Sequence, residues 1–423
     1  MSHRSRFTRR SSMRSAAPWL AGLVAVAACD REPPTAATPA DDAAQLGSAV
    51  PAPGGLGRPL LFLTVEQRRL FEQGRGVFQT VFTPGTGLGP LFNADGCAAC
   101  HESPVIGGGG ETEEEEGGVP GEDIEVHATA FAGGACDDLS GQGGPVFQKR
   151  VTPALETLGI GPEQPPATAT AIANRTTPDL FGFGLLDAVS DATILARADP
   201  FDRNRNGISG RPNRTADGRV GRFGRKAQVP RLSAFNAEAF VMEMGITNPG
   251  LPVEQTPGGA GLPAGVDPLA EPEIGQGALD AANAFVQFLA PPTPQRLDVG
   301  GAVGRGIFVR VGCAGCHVPA LRTGRHGVRA LSNRIVYAYT DLLLHDMGPE
   351  LADICLAQAE PSEFRTEPLM GLRFVTAFLH DGRAETIEEA IGLHGGEAAA
   401  ARNGFAALSP LHRAALLRFL RSL

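Results

Sequence analysis

The chain has 423 residues, 42% hydrophobic and 20% charged, so it is long enough for more than one folding unit and apolar enough to build a core. That balance excludes wholesale disorder and a multi-span membrane protein. A formal net charge of −9 argues against nucleic acid as a partner, and 55 glycines with 34 prolines predict long loops.

Residues 4–14 carry Arg4, Arg6, Arg9, Arg10 and Arg14 and no acid. An apolar run from Ala16 to Ala28 follows, too short to span a bilayer as a helix. It ends in Val26-Ala27-Ala28-Cys29, which resembles a bacterial lipobox. Residues 1–28 therefore read as a signal peptide and Cys29 as a lipid-bearing first residue; cleavage after Ala28 without a lipid is the alternative. Arg9-Arg10 gives a weaker twin-arginine reading. This places the mature protein in the periplasm, with a membrane met only through the anchor. Five arginines and no acid leave with the signal, so the net charge falls from −9 to −14. Such a chain would steer a cationic protein partner. Residues 29–58, rich in Ala, Pro and Asp, read as a solvated tether.

Thr64 to Phe78 predicts a helix with Leu70 and Phe71 on its apolar face. A glycine-rich loop leads to Cys97-Ala98-Ala99-Cys100-His101, and the same C-x-x-C-H recurs at Cys313-Ala314-Gly315-Cys316-His317. This is the pattern of c-type haem attachment. Two thiols three residues apart share one helical turn and reach the two vinyl groups of one haem. The adjacent histidine becomes the proximal iron ligand. Zinc or a redox dithiol is the alternative for one such motif, but two copies in an exported chain favour two covalently bound haem c groups.

Between the motifs lies Gly107 to Gly118 with Glu113-Glu114-Glu115-Glu116, a solvated loop by composition. Asp202, Asn204 and Asn206, with Gly207 sixth, resemble the first half of an EF-hand loop, but position twelve is Asn213 rather than Glu. An Asx-rich turn is the alternative. Arg231 to Met244 predicts a helix, Asn248 to Pro272 a loop and Gly275 to Leu289 a helix closed by Pro291-Pro292; Gly300 to Phe308 leads into the second motif. The fold expected is mainly α: two cytochrome-c-like haem modules with extensive irregular loops and little strand. The division is 59–295 for the N-terminal haem domain and 296–423 for the C-terminal one. Cys136 and Cys355 are left over. The oxidising compartment permits a disulfide that would staple the two regions, with two separate thiols as the alternative.

Further segments carry a resemblance. They are Gly89-Pro-Leu-Phe-Asn-Ala, Phe181-Gly-Phe-Gly-Leu-Leu-Asp, Asn206-Gly-Ile-Ser-Gly-Arg-Pro-Asn and Gly221-Arg-Phe-Gly-Arg-Lys-Ala. To these add Met244-Gly-Ile-Thr, Tyr339-Thr-Asp-Leu-Leu-Leu-His-Asp-Met-Gly and Phe378-Leu-His-Asp-Gly-Arg. With the two haem motifs they resemble the bacterial di-haem cytochrome c peroxidase superfamily. Within it they are similar to the di-haem oxidoreductase branch, also called di-haem thiol oxidoreductases, from about Leu60 to the C-terminus.

The resemblance implies an enzyme with two unlike haems. The N-terminal one reduces hydrogen peroxide; the C-terminal one relays electrons from an electron-donor protein or small redox protein. The superfamily's second axial ligand lies fourteen residues after the histidine of a motif like Leu379-His380-Asp-Gly, which here is His394, where the peroxidases usually have Met. His345 and Met347 are rival ligands, and His380 belongs to the haem surroundings. His127 is the candidate for a removable sixth ligand of the first haem. Peroxide cleavage needs a nearby proton acceptor and donor, for which the candidates are Glu243, Gln228 and Glu238. Relatives often hold calcium between the haem domains, which bears on Asp202, Asn204 and Asn206. Relatives also place a tryptophan between the haems; the only one here, Trp19, leaves with the signal. Tyr337 and Tyr339 remain as relay or core aromatics. Alternative functions are electron transfer without a substrate of its own, or oxidation of a small organic or thiol substrate.

Overall fold

A computed structural model of the chain describes residues 55–110 and 123–423. The signal, Cys29, most of the tether and the Glu113–Glu116 run lie outside the described residues. No described helix is long and apolar enough to cross a membrane.

The fold is mainly α, with small sheets. The helices that position the motifs are α1 (Val65–Phe78), α2 (Cys97–Cys100), α3 (Leu232–Met244) and α4 (Gln276–Phe288). In the C-terminal part they are α5 (Val299–Arg310), α6 (Ile387–Gly392), α7 (Ala399–Ala406) and α8 (Pro410–Leu420). Local chemistry sets their ends. Thr64 and Gln67 form a capping box before α1, Thr386 and Glu389 another before α6, and Asp298 caps α5 through the amide of Gly301. The predicted helices over 64–78, 231–244 and 275–289 are α1, α3 and α4, and the lead-in at 300–308 is the body of α5.

Two helix pairs share one geometry. In the first, α1 crosses α4 where a Cβ on Gly74 would overlap the carbonyl oxygen of Ala281. Four residues on, Phe78 packs on Phe285 with ring centroids 4.9 Å apart. In the second, α5 crosses α8 where a Cβ on Gly304 would overlap the carbonyl oxygen of Ala415, and Phe308 packs on Phe419 at 5.4 Å. The spacing is the same in both: glycine to phenylalanine and alanine to phenylalanine are each i to i+4, one face of a helix.

The sequence signals understate the strand content. β1 (Ile124–Ala132) is the centre of a four-stranded sheet with β2 (Ala135–Asp137), β3 (Val146–Phe147) and β4 (Ala171–Thr176), all antiparallel to it. β1 mixes Glu125 and His127 with alanines, so it lacks a clean apolar alternation, and β4 lies some forty residues away. Cys136 of β2 and Cys355 are joined as a disulfide, with Cα atoms 5.8 Å apart. One apolar cluster runs from Leu60 and Phe71 to Leu331 and Leu343, across the expected 295/296 division. A second, around Phe308, Tyr339, Leu416 and Phe419, lies wholly after it.

The crossings give a paired prediction. Gly304→Ala forces a methyl into backbone and should lower unfolding free energy by about 1–3 kcal/mol. Gly306→Ala, exposed on the same helix with nothing within 4 Å of the new Cβ, should raise it by roughly 0.5–1 kcal/mol. Denaturant unfolding of the two variants measures both.

Candidate functional site

The first motif occupies α2, with Cys97 and Cys100 at its two ends and His101 as its C-cap. Gly107, at φ 91, turns the chain back, and His101 Nδ1 lies 3.0 Å from the carbonyl of Gly108. That contact makes Nδ1 a donor, and the carbonyl of Pro178 also bonds to the ring. Phe78, delivered by the α1–α4 crossing, lies 5.9 Å from the His101 ring.

A polar group surrounds this histidine. The segment before the motif is pinned to the end of α3: the amides of Asn93 and Ala94 donate to the carbonyl of Glu243 at 2.7 and 3.2 Å, and Gly89 N donates to Met244 at 3.0 Å. Glu243 is thereby held beside Asn93, whose Nδ2 donates to its carboxylate at 2.7 Å. Burial, and then the charge of Glu125, push the Glu243 carboxyl well above the usual range. Glu125 stands on β1 opposite Arg175, with His127 Nε2 2.7 Å from its carboxylate. Burial opposes the Glu125 charge, but His127, His101 and Arg175 outweigh it and hold the carboxyl low. Lys149 completes the group; burial lowers its ammonium while Cys100 and Glu243 support it.

The sequence candidates separate accordingly. Glu243 is brought beside the first motif. Glu238 lies earlier on α3, its carboxyl raised by burial alone. Gln228 sits against Gly224 in a tight turn, its Oε1 buried without a hydrogen-bond partner. His127 gives Nε2 to Glu125, and its Nδ1 is buried and unpartnered among the described residues. Glu125 and Asn93 were not singled out in the sequence. The signal for Glu125 was its i, i+2 relation to His127 on one strand face, legible only once the strand is assigned.

The second motif opens directly off α5. Cys313, Cys316 and His317 line a cavity of about 420 Å³, walled by Phe308, Ile391 and Leu420 and reached by His394. His317 Nδ1 lies 3.0 Å from the carbonyl of Tyr339. His394 Nδ1 lies 2.7 Å from the carbonyl of Ala390. Each ring thus keeps Nε2 unclaimed. Burial, and then the nearness of His394, lower His317 to about 4. Arg365 and Arg225 hold Glu367 at 2.7 and 3.1 Å. Across the cavity, burial pushes Asp179 up to about 7.

Of the rival ligands, His345 is otherwise engaged and Met347 is not. His345 Nε2 lies 3.0 Å from Asp341 and its Nδ1 2.8 Å from Glu397, so both ring nitrogens serve carboxylates. His380 stacks on Phe364 at 4.4 Å and sets Nε2 3.2 Å from Asp353. Met347 lines the cavity wall. Tyr339 is a core residue, edge-on to Phe308 and Phe419. Burial raises the thiols of Cys97 to about 12 and Cys313 to about 11, the reverse of what a redox dithiol needs.

Asp202, Asn204 and Asn206 form an exposed run of Asx turns. Asp202 accepts the amides of Asn206 and Gly207 at 2.8 and 3.1 Å; Asn204 and Asn206 accept those of Asn206 and Ile208 at 3.0 and 2.9 Å. Asn213 is buried, its Nδ2 donating to the carbonyl of Lys226 at 2.7 Å. The carboxylates with ligand-like spacing among the described residues are elsewhere: Glu254, Asp267, Glu271 and Glu273, within 4.8 Å of one another.

A model of the family described as "Di-haem oxidoreductase, putative peroxidase" matches residues 169–423. That span holds the second motif and His394 and begins after the first motif, later than the Leu60 start expected. No curated protein matches the chain. Among solved structures, hydrazine synthase of Kuenenia stuttgartiensis pressurised with xenon is similar at 12% identity, over 89% of this chain and 97% of that one, with a TM-score of 0.38. The diheme peroxidase BthA from Burkholderia thailandensis is similar at 14% identity over 89% of each chain, TM-score 0.34. A MauG-like protein associated with microbial copper homeostasis is 18% identical over 35% of this chain and 52% of its own, TM-score 0.24.

The acidic group predicts a pH signature. Burial and the neighbouring carboxylates raise Glu254 to about 9. A raised carboxyl makes the folded state hold a proton that the unfolded state releases above about 4.5, so its contribution destabilises increasingly as pH rises toward 9. Glu254→Gln should raise Tm at pH 8 and leave it unchanged at pH 4, as calorimetry would record.

Proposed function

The chain belongs to the di-haem oxidoreductase, putative peroxidase, family, and from that premise we propose an exported, lipid-anchored enzyme that reduces hydrogen peroxide at its N-terminal haem. Electrons reach that haem through the C-terminal one. The observation that carries the proposal is the unlike surroundings of the two motif histidines. His101 has the Glu125 carboxylate near it, and the candidate second histidine, His127, is bound to that same Glu125. His317 shares its cavity with His394.

Both donor sets fit a covalent haem. Each offers two cysteine thiols in one short turn and a histidine whose Nδ1 is held by a carbonyl, so that Nε2 would serve iron. When bound, each haem supplies an iron that stores and passes one electron, and the N-terminal iron also offers a position to peroxide. Converting peroxide to two waters consumes two electrons and two protons. Glu243 suits the proton role, because burial and the Glu125 charge favour its protonated form, which can give a proton to a leaving hydroxyl. Asn93 orients it, and the Glu125 charge keeps the proton in place. His317 and His394 provide two imidazoles for the C-terminal iron. Imidazole donates more strongly than thioether, so the potential should lie below that of a His/Met centre. The lipobox at Cys29 supports export and anchoring. Asp202, Asn204 and Asn206 accept backbone amides and keep further lone pairs, so this loop is the place for a calcium ion in the proposal.

Absorption and electron paramagnetic resonance of the oxidised and half-reduced holoprotein test this directly. One high-spin haem that binds peroxide and one low-spin haem are expected; two low-spin haems that bind neither peroxide nor carbon monoxide would leave an electron carrier without a substrate. His394→Met should raise the second haem's potential in a redox titration, and an unchanged titration removes His394 from the ligands. Glu243→Gln should lower peroxide turnover about 10²–10⁴-fold with both haem spectra intact.

A further inference from the structure

Charge is unevenly divided along the chain. Residues 29–295 carry eighteen cations against thirty-three carboxylates, whereas residues 296–423 carry fourteen against thirteen. Within the second part, segments 299–312 and 398–423 hold Arg305, Arg310, Arg402, Arg413, Arg418 and Arg421 and no carboxylate. These segments are packed together: α5 crosses α8 at Gly304, and Gly312 meets Ala401 at the start of α7, with Arg305 and Arg310 both on the exposed side of α5. Arg418 pairs with Asp298 and Arg421 with Glu388. The other four make no ion pair with a carboxylate among the described residues. Arg402 donates to Asn403 at 3.2 Å and Arg413 to the carbonyl of Ala406 at 3.0 Å, contacts that leave their charge uncompensated.

The cavity of the second motif reaches solvent through the same face. Gly312 and Ala400 both line the cavity and are exposed, and Arg402 stands beside them in its wall. Val303 and Val309, 47% and 42% exposed, give α5 an apolar strip next to Arg305 and Arg310. An apolar strip with a cationic margin at a cofactor opening suits a partner that must come close and then leave.

We propose that this face docks a small redox protein whose own cofactor edge is ringed by carboxylates, and that electrons enter the second haem there. The proposal rests on the reading above that the C-terminal haem receives electrons. The acidic remainder of the molecule repels such a partner, so repulsion and attraction together select the face. This reverses the sign of partner that the net charge alone suggests.

Stopped-flow mixing of the oxidised, full-length holoprotein with reduced flavodoxin, an acidic probe, tests it by the rate at which the second haem is reduced. The rate should fall at least tenfold between low and physiological salt. Arg305→Glu with Arg310→Glu should lower the low-salt rate about tenfold, whereas Arg305→Lys with Arg310→Lys should keep it. Spectra and dithionite titration of the second haem should be the same in all three proteins, which excludes misfolding. A salt-independent rate, full speed in the charge-reversed protein, or faster reduction by a reduced basic cytochrome c would overturn the proposal. None of these readouts uses peroxide, so loss of the peroxidase reading and loss of the docking reading are separable.

Discussion

Close approach of two helices through a glycine underlies both motifs. At Gly74 and again at Gly304 the missing side chain lets a partner helix's backbone sit where a Cβ would be. The phenylalanine one turn later is then driven into contact with the partner's own phenylalanine. From there the order passes to the chemistry. Phe78 continues to the ring of His101. Phe308 continues to the edge of Tyr339, and the carbonyl of Tyr339 holds His317. A methyl at either glycine would therefore disturb both packing and the orientation of a motif histidine.

A buried ionic group and a disulfide tie distant segments together. Asp353 is flanked by Arg175, by Lys226 at 3.1 Å and by His380 at 3.2 Å. Lys226 is fully buried and also donates to the carbonyls of Pro361 and Glu363 at 2.8 and 2.7 Å. Such charges are tolerable inside a protein because they are paired, and removal of one member would strand the rest. Two residues along the chain, Cys355 bonds to Cys136 across a separation of 219 residues. By chain entropy a loop of that size stabilises by roughly 5 kcal/mol. Both ties join the β1–β4 sheet, which carries Glu125, to the part of the chain that carries the second motif.

The two C-x-x-C-H motifs were legible because they are local: two thiols and an imidazole share one short turn at Cys97–His101 and again at Cys313–His317. The helices over 64–78, 231–244 and 275–289 were legible for a similar reason, since caps and apolar period act within a turn or two. The sheet was not. Its strands pair across up to fifty residues, and β1 mixes polar and small side chains that give no clean alternation. Glu125 was hidden with it.

The sequence by itself determined the two C-x-x-C-H motifs, the family and the main helices, each encoded in contacts of short range. Tertiary structure decided how those parts are used. It set Glu243 against the backbone that leads into the first motif, because the end of α3 bonds to residues 89–94. It committed His345 to two carboxylates and left Nε2 of His394 unclaimed in the cavity of His317. It joined Cys136 to Cys355. It also packed together the arginine-bearing segments of α5, α7 and α8 in an acidic chain. Composition could not show this, because net charge sums over a molecule whereas a partner meets one side of it.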